Sequence, residues 1–430
     1  MERILIENGR IIDPANNVER LGSVYVADGK IVSVIYKPIG FEADKVIDAR
    51  NLIVCPGFID LSARLREPGQ TRKATIASET AAASAAGITT LCLPPDTSPV
   101  IDTPAVAELV KDKARKAGFR QVLPIAALTQ KLEGAELTAM MALKQVGCIA
   151  VSNANQPVKN LLVLRRAMEY AASHDLLFMY RPNEPALYNN GCVHEGVLST
   201  RYGLPSIPEA AETIALSQCL ELVSLTGCRV HFGQISCARS VFMLEQAKLS
   251  GLNVSADVAI HQLHLTEDDI IPFDSAYHVQ PPLRTVADKN ALREGLARGI
   301  IDSICSDHQP HDLDAKLGAF PETDPGVSAL ETVLPLMLKL VGDGAITLEQ
   351  GIAALTHKPA QLLGLDRGAL TGGFAADICI FDPEQDWQVN AENWRSQGVN
   401  TPFWGQVFKG KVIYTLQSGK VVYGDPVSSD

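Results

Sequence analysis

Side chains that could hold a metal ion are gathered in two short strings of this sequence. Asp307, His308 and His311 stand in SDHQPH, and His261 and His264 stand in AIHQLHL. Imidazole and carboxylate groups are common protein ligands of divalent metals. One hypothesis is therefore a makeshift cation site built from Asp307, His308, His311 and His261.

Residue spacing weakens the case for a metal-binding histidine pair in the second string. His261 and His264 are three residues apart, and on a strand this spacing points two side chains to opposite faces. His308 and His311 have the same spacing, but they lie in a predicted loop, where spacing does not fix the directions of the two side chains. We interpret His231 as a core or pocket residue whose ring is satisfied by its neighbours.

The cysteines are the other reactive side chains, and their pattern predicts reduced thiols in a protein core. No C-x-x-C pair occurs, which argues against a zinc ribbon and against a disulfide framework. Nothing near Cys237 in the sequence would lower its pKa, so it too is predicted to be a core thiol. The nine cysteines are Cys55, Cys92, Cys148, Cys192, Cys219, Cys228, Cys237, Cys305 and Cys379.

Alternating strands and helices must position these groups. From about residue 56 to about residue 365, apolar strand-length runs alternate with helical patterns, as where ITTLCLP precedes TPAVAELVKDKARKAG. Such alternation over about 300 residues predicts an α/β fold with a parallel (β/α)8 barrel. Functional side chains of such barrels lie at the carboxyl ends of the strands. The polar strings FIDLSARLREPG, LLFMYRPNEPAL and DSICSDHQPH fall at those ends.

The two ends of the chain are rich in strand signals. Residues 1–55 contain β-branched runs and the hairpin signals Asn8-Gly9 and Asp28-Gly29, and strand runs with Gly-Lys turns return in residues 366–430. Two such short segments could hardly be stable apart. We therefore predict a small β-sandwich domain made from residues 1–55 plus 366–430, flanking a barrel domain of residues 56–365.

Composition limits the class of partner. The chain has 430 residues, a net charge of −11 and 46% hydrophobic residues, which is typical of a globular protein and not of a disordered or fibrous chain. An acidic balance argues against nucleic-acid binding. Charges interrupt the first ten residues and no apolar run reaches about 18 residues, so we expect no signal peptide, no membrane span and a cytoplasmic location.

An ordered set of motifs resembles the dihydroorotases of the amidohydrolase superfamily. The resemblance implies a metal-binding barrel of the TIM type with a small β-sandwich from both termini, which agrees with the analysis above. The motifs run along nearly the whole chain: Pro56–Asp60, Arg66–Gly69, Gly191, Glu195-Gly196, Gly203–Pro205, Val279–Arg284, Ser306–His311, Leu330–Thr332, Pro359–Leu365 and Ala376–Ile378.

The chemistry that this resemblance implies is reversible closure of N-carbamoyl aspartate to dihydroorotate by a zinc-bound hydroxide. Of the five ligand motifs of the family, only the one that contains Asp307 is kept. A guanidinium never deprotonates in a protein and cannot ligate a cation. The sequence therefore predicts that zinc, and with it catalysis, is absent. The lost ligand positions are Ser62, Arg64, Asn153, Arg181 (or Tyr180, one register off) and Gln234.

The substrate pocket that the resemblance implies is less uniformly altered, and we treat it as vestigial. Arg66, which would bind the substrate carboxylate, is kept, and so is His311. Two asparagines of the family pattern are replaced by Asp96 and Gln280. A carboxylate at position 96 is adverse for an anionic substrate unless Arg64 or Arg181 neutralises it. We expect an internal salt-bridge network in place of a working pocket.

Three functions remain open at this point. Noncatalytic dihydroorotase-like chains of some bacteria associate with aspartate carbamoyltransferase, and the resemblance favours such an assembly subunit of de novo pyrimidine biosynthesis. It also makes a dimeric unit within a larger complex plausible. The alternatives are an amidohydrolase with an unusual metal set, and a module that binds a small anion, such as a dicarboxylate, through Arg64, Arg66 and Arg181.

Overall fold

Strands and helices alternate through the middle of the chain, and strands alone form its two ends. The computed structural model describes residues 2–158, 160–271 and 273–424. Short 3-10 turns connect several of the longer elements. The strands are β1 (Ile4–Asp13), β2 (Val18–Ala27), β3 (Lys30–Val34), β4 (Lys45–Asp48), β5 (Ile53–Pro56), β6 (Phe58–Asp60), β7 (Ile88–Leu93), β8 (Val122–Pro124), β9 (Ala126–Ala127), β10 (Ala150–Ser152), β11 (Leu177–Tyr180), β12 (Val193–His194), β13 (Ser206–Ile207), β14 (Val230–Phe232), β15 (Val254–Ala259), β16 (Ser303–Cys305), β17 (Ile378–Gln388), β18 (Val407–Gln417) and β19 (Lys420–Tyr423).

Helices follow the barrel strands at the positions that the apolar periodicity predicts. The segment TPAVAELVKDKARKAG, for example, contains α2, which begins at Pro104, where a missing backbone N–H costs nothing. The helices are α1 (Ile76–Ala85), α2 (Pro104–Lys116), α3 (Met140–Gln145), α4 (Leu161–Ser173), α5 (Pro185–Tyr188), α6 (Val197–Tyr202), α7 (Ala210–Thr226), α8 (Ala238–Leu249), α9 (Val286–Ala297), α10 (Val333–Gly342), α11 (Leu348–Leu355) and α12 (His357–Leu363).

Parallel strands form the predicted (β/α)8 barrel. Strands β6, β7 and β8 make one run of parallel pairs, and β9, β10, β11, β14, β15 and β16 make the other. Only Ile125 separates β8 from β9, so these two count as one of the eight barrel strands. The ring closes between its first and last strands, where the Arg64 N–H donates to the His308 carbonyl at 2.9 Å. The His308 N–H donates in turn to the Ser62 carbonyl at 3.2 Å. All carboxyl ends of the strands therefore meet at one mouth, which holds the polar strings.

A second sheet joins the two ends of the chain, as the sequence predicts. Its strand order is β19-β18-β17-β5-β1-β2-β3, and β4 pairs with β1. Strands β5 and β17 pair antiparallel, so that Cys55 lies opposite Cys379. Alternate residues of this sheet share one apolar cluster that includes Ile6, Val24 and Ile380. The sheet therefore folds over its own core.

Glycine turns in this sheet agree with the sequence at two places and differ from it at two others. Asp28-Gly29 and Ser418-Gly419 form tight hairpins in which both residues have positive φ. The predicted turn at Asn8-Gly9 is wrong, because these residues form a bulge inside β1. Lys411 likewise follows a glycine inside β18 rather than in a turn. Positive φ therefore marks a bulge as readily as a hairpin.

Glycine at two positions lets the sheet approach the barrel closely. Gly87 precedes β7 with φ +78°, and a Cβ there would lie 2.4 Å from the Cys379 Sγ in the sheet. Gly410 of β18 has φ +97°, and its Cβ would lie 2.2 Å from the Leu338 Cδ1 of α10. A side chain at either position would force the two layers apart.

The described part of the chain contains no helix that is long and apolar enough to cross a membrane. All nine cysteines are buried and free, in agreement with the predicted core thiols. Burial raises the pKa of the Cys237 thiol, and the neighbouring Glu212 carboxylate raises it further.

Substituting Gly87 by alanine tests the close contact between sheet and barrel. Gly87→Ala should lower the free energy of unfolding by about 2–4 kcal/mol, because left-handed strain adds to a clash with Cys379. Gly118→Ala is the matched control, since Gly118 has φ +84° and nothing within 4 Å of a new Cβ. The control should lose only about 1 kcal/mol. Equal losses in a urea titration of both variants would contradict the close contact.

Candidate functional site

Four of the residues predicted at lost ligand positions surround one small cavity at the barrel mouth. Ser62 and Arg64 follow β6, Arg181 follows β11, and Gln234 follows β14. Together they line a cavity of about 40 Å³, which we call the inner cavity. Asp307 follows β16 and contacts both Ser62 and Arg64. The structure thus brings these five positions to one place.

Arg64 is held between two carboxylates. Its Nε donates to the Asp96 Oδ2 at 2.7 Å, and its NH1 lies 3.5 Å from the Asp307 Oδ1. Its side chain is 7% exposed. Burial alone would lower the pKa of Arg64, but Asp96 and Asp307 raise it above its usual value. Arg64 therefore stays charged and neutralises the Asp96 carboxylate that replaces a family asparagine.

Asp307 has little capacity left for another partner. Its Oδ1 lies 3.5 Å from both the Arg64 NH1 and the Ser62 Oγ, and its Oδ2 accepts from the Gln309 Nε2 at 3.1 Å. Burial raises the pKa of Asp307 to about 6, although Arg64 and Arg181 act in the opposite direction. The retained carboxylate thus belongs to a buried salt bridge.

Arg181 and Gln234 differ in how they are held. Gln234 has φ +51°, and its backbone N–H donates to the Asp257 Oδ1 at 2.7 Å. Across residues 2–158, 160–271 and 273–424, the Arg181 guanidinium makes no hydrogen bond and no ion pair. Burial lowers the pKa of Arg181, the Asp307 carboxylate opposes this shift, and the Arg64 guanidinium adds to it.

Asn153 does not point into the inner cavity with the others. Its Oδ1 accepts from the Thr129 Oγ1 at 2.7 Å, and its Nδ2 donates to the Gln156 carbonyl at 3.1 Å. Its neighbours Ala154 and Asn155 line the cavity instead. The amide therefore fixes the loop after β10, a role in which an aspartate could not donate.

A zinc ion does not fit the donors that are present. Two of the positions carry guanidinium groups, which repel and cannot ligate a cation. The remaining carboxylate, Asp307, is already paired. Within the described ranges, no three histidine, cysteine, aspartate or glutamate side chains are grouped so that they could hold a metal ion. The donor set is therefore suited to anions rather than to a divalent cation.

The makeshift cation site proposed from the sequence is wrong. The His308 Nε2 contacts the Glu79 Oε2 at 2.8 Å, and its Nδ1 accepts from the Ala329 N–H at 3.0 Å. The His311 Nδ1 contacts the Lys73 Nζ at 3.1 Å. These ring nitrogens are occupied, so His308 and His311 cannot turn towards Asp307 as ligands.

His261 and His264 do not lie on a strand, so the prediction of opposite strand faces is also wrong. Strand β15 ends at Ala259, and His261 lies in the 3-10 turn that follows, because the chain bends at the barrel mouth. Burial lowers the pKa of His261 to about 4. His231 agrees with its predicted role as a satisfied core residue, with Ser255 at 2.8 Å and Asp257 at 2.9 Å.

Of the four residues assigned to a vestigial substrate pocket, none lines the inner cavity. Arg66 and His311 contact each other, whereas Asp96 pairs with Arg64. The Arg66 Nε donates to the Pro310 carbonyl at 2.9 Å, and its NH2 lies 3.0 Å from the His311 Nε2. Burial lowers the pKa of His311 to about 2, and the cationic Arg66 and Lys73 contribute. Gln280 is half-buried and precedes the cis peptide bond to Pro281. Arg66 is thus occupied by the protein itself.

Sequence reasoning missed the buried carboxylates beneath the site. Asp60 accepts from the Ser306 N–H at 2.9 Å, and burial raises its pKa to about 7. Asp257 holds both His231 and Gln234. The sequence signal for such a buried carboxylate is a single acidic residue inside an apolar strand, as Asp257 is in VSADVA. Glu79 could not have been found, because its partner His308 is far away in the sequence.

Removing Arg64 should destabilise the protein strongly. In Arg64→Met two carboxylates lose their cation, and a broken buried pair of this kind costs about 3–5 kcal/mol. The control is Arg298→Met, whose half-exposed side chain pairs with Glu245 and Glu294 at the surface and should cost at most about 1 kcal/mol. Chemical denaturation of both variants measures the difference. Adding Asp307→Asn to Arg64→Met should recover part of the loss, and its failure to do so would refute the pairing.

The raised pKa of Asp307 predicts a pH-dependent stability difference. The folded chain holds this proton up to a pKa of about 6 against an ordinary value of 3.8, so ionisation costs folded stability as pH rises through that window. Relative to Asp307→Asn, the wild type should therefore lose up to about 3 kcal/mol between about pH 4 and pH 8. Unfolding free energies of both proteins across this range measure it. A difference that is constant, or that grows in favour of the wild type, would exclude the raised pKa.

Comparison with known proteins places this site in a family. Residues 51–240 match the family described as Dihydro-orotase-like. The dihydroorotase-like protein of Pseudomonas aeruginosa is 46% identical over 420 residues, which covers 98% of this chain and 99% of that protein. The protein of the same name from Pseudomonas putida is 45% identical over 98% of this chain and 99% of its own length. A dihydroorotase from a Geobacter species is 39% identical, again over 98% of this chain and 99% of its own.

Solved structures agree on the fold. The L-hydantoinase (dihydropyrimidinase) of Arthrobacter aurescens superposes with a TM-score of 0.86 at 24% identity, covering 99% of this chain and 96% of that one. A D-hydantoinase superposes with a TM-score of 0.83 at 22% identity, covering 99% and 96%. These likenesses confirm the predicted fold, a parallel α/β barrel with a β-sandwich. From its sequence relatives, this chain belongs to the dihydroorotase-like family.

Proposed function

We propose that this chain is a noncatalytic dihydroorotase homologue that acts as an assembly subunit of aspartate carbamoyltransferase in cytoplasmic de novo pyrimidine biosynthesis. It works without zinc and self-associates as a dimer within a larger complex. The observation that carries the noncatalytic part is the position of Arg64. Its guanidinium stands at the barrel mouth between Asp96 and Asp307, where the family would place metal ligands.

The charges at the barrel mouth support this proposal in physical terms. A hydrolytic zinc site needs neutral imidazoles and carboxylates around an open coordination position. Here the one retained carboxylate is neutralised by Arg64, and Arg181 adds a second positive charge nearby. A zinc ion at this position would lack protein ligands and would lie close to the two guanidinium cations. No group of three histidine, cysteine, aspartate or glutamate side chains elsewhere on the described residues could hold a metal ion.

Retention of the scaffold supports a role in binding rather than in catalysis. The barrel closes, the terminal sheet is complete, and the buried contacts of His308 with Glu79 and of His231 with Asp257 are well formed. The partner itself rests on the resemblance of this chain to noncatalytic dihydroorotase-like chains. Identity is also higher to the two Pseudomonas proteins named dihydroorotase-like protein than to the Geobacter dihydroorotase.

Metal analysis and an activity assay test the noncatalytic part. The purified chain should carry well below one zinc per chain and should not turn over dihydroorotate, because four of the five ligand motifs lack their ligand. An intact dihydroorotase in the same assay is the positive control. Stoichiometric metal, or turnover of a cyclic amide that disappears in Asp307→Ala, would instead identify an amidohydrolase with an unusual metal set.

Co-expression tests the partner. The chain and the transferase chain should elute together from a size-exclusion column, and transferase activity should follow that peak. The transferase expressed alone should be less active or incompletely assembled. A transferase that is fully active alone and elutes separately would refute the assembly role.

A further inference from the structure

A second space, which we call the outer cleft, opens beside the inner cavity at the barrel mouth. It has a volume of about 230 Å³ and lies between the loop after β10 and the segment after β11. Ala154, Asn155, Tyr180 and Arg181 line both spaces. Arg181 therefore stands at the junction of the two, with its guanidinium accessible from the outer cleft.

Of the three arginines at the mouth, Arg181 is the one whose guanidinium has no hydrogen-bond or ion-pair partner among the described residues. Arg64 is paired with two carboxylates, and Arg66 is bonded to the Pro310 carbonyl and in contact with His311. Arg181 makes no hydrogen bond or ion pair to any residue with a described position. A half-buried cation without a partner is costly, and an anion bound beside it would offset that cost.

The residues that line the outer cleft favour particular chemical groups in a ligand in addition to a negative charge. Amide side chains that both donate and accept line it, among them Asn155, Asn183 and Gln218. Leu161, Leu164 and Met179 supply apolar surface. The Tyr180 hydroxyl has no hydrogen bond to a described residue, and burial raises its pKa, so it remains a protonated donor. A ligand with a polar amide and a short apolar part fits such walls.

Charge and size limit the anion further. Among the described lining residues, Arg181 is the only cation and Glu184 the only carboxylate. One guanidinium fork matches one carboxylate, whereas a doubly charged group would be repelled by Glu184. The volume of about 230 Å³ is below the range typical of sites for drug-sized ligands. The occupant must be a small molecule.

We propose that the outer cleft binds a small organic monocarboxylate that carries an amide group, with the carboxylate held by Arg181 and the amide by the side chains of the wall. This site is separate from the one that the family resemblance assigns to substrate, because Arg66 is occupied by the protein and does not line the cleft. Binding in the outer cleft requires neither a metal nor the transferase. Its test therefore does not depend on the outcome of the tests of the proposed function.

Calorimetric titration with N-acetylglycine tests the proposal, with N-acetylglycinamide as the uncharged control ligand. For a molecule of this size we expect a Kd on the order of 1 mM for the carboxylate and at least about tenfold weaker binding of the amide. Arg181→Gln should weaken N-acetylglycine binding at least about tenfold, and Arg181→Lys should weaken it less, because it keeps the charge but loses the fork. Arg120→Gln, at an exposed position away from the cleft, should bind as the wild type does.

Each other outcome overturns the proposal. Equal binding of the two probes would exclude recognition of the carboxylate, and unchanged binding by a folded Arg181→Gln would exclude Arg181. Inorganic phosphate that binds more tightly than N-acetylglycine would replace the monocarboxylate with a phosphate ligand. The melting temperature of each variant confirms that it is folded, and protection of Arg181 from phenylglyoxal by N-acetylglycine gives a second readout on the unaltered protein. An absence of protection would contradict the site.

Discussion

The arrangement at the barrel mouth depends on one constraint: a guanidinium buried in a protein must be neutralised where it lies. Arg64 meets this constraint by contacting carboxylates from two different parts of the barrel, Asp96 after β7 and Asp307 after β16. Both carboxylates neutralise this buried cation in the folded chain. The same constraint explains why an aspartate at position 96 is compatible with a folded barrel. Two buried carboxylates at a barrel mouth can thus be ordered around one guanidinium.

Much of the fold follows from the sequence because it depends on local patterns that repeat. The alternation of apolar runs predicted the barrel, and segments such as LLVLRRAMEYAASH became α4 almost residue for residue. The glycine pairs were less informative. Asn8-Gly9 and Asp28-Gly29 carry the same local signal, but only tertiary contacts decide between them. At Gly9 a Cβ would lie 2.5 Å from the Val54 Cγ2 of the neighbouring strand, which favours a bulge there.

The candidate site was predictable as a set of positions and unpredictable as a set of contacts. Motif order located Ser62, Arg64, Arg181 and Gln234 near one another. Nothing in the order of residues distinguishes Arg64, which is paired, from Arg181, which has no partner among the described residues. That difference depends on which carboxylate can reach each guanidinium. The predictions about the histidines were wrong for a related reason. Their spacing was interpreted as that of a strand or a loop. The contacts that hold them, of His308 with Glu79 and of His311 with Lys73, come from segments that are distant in the sequence.

The pairing of β5 with β17 has a consequence for how the chain is made. Val54 lies beside Ile380 in the finished sheet, so the edge of β5 stays open while the whole barrel is being synthesised. Exposed strand edges invite pairing with other chains. Because domains fold in the order in which the ribosome releases them, the barrel has time to form before the last strands arrive. The nascent chain therefore exposes an unpaired strand edge from the release of β5 until β17 emerges.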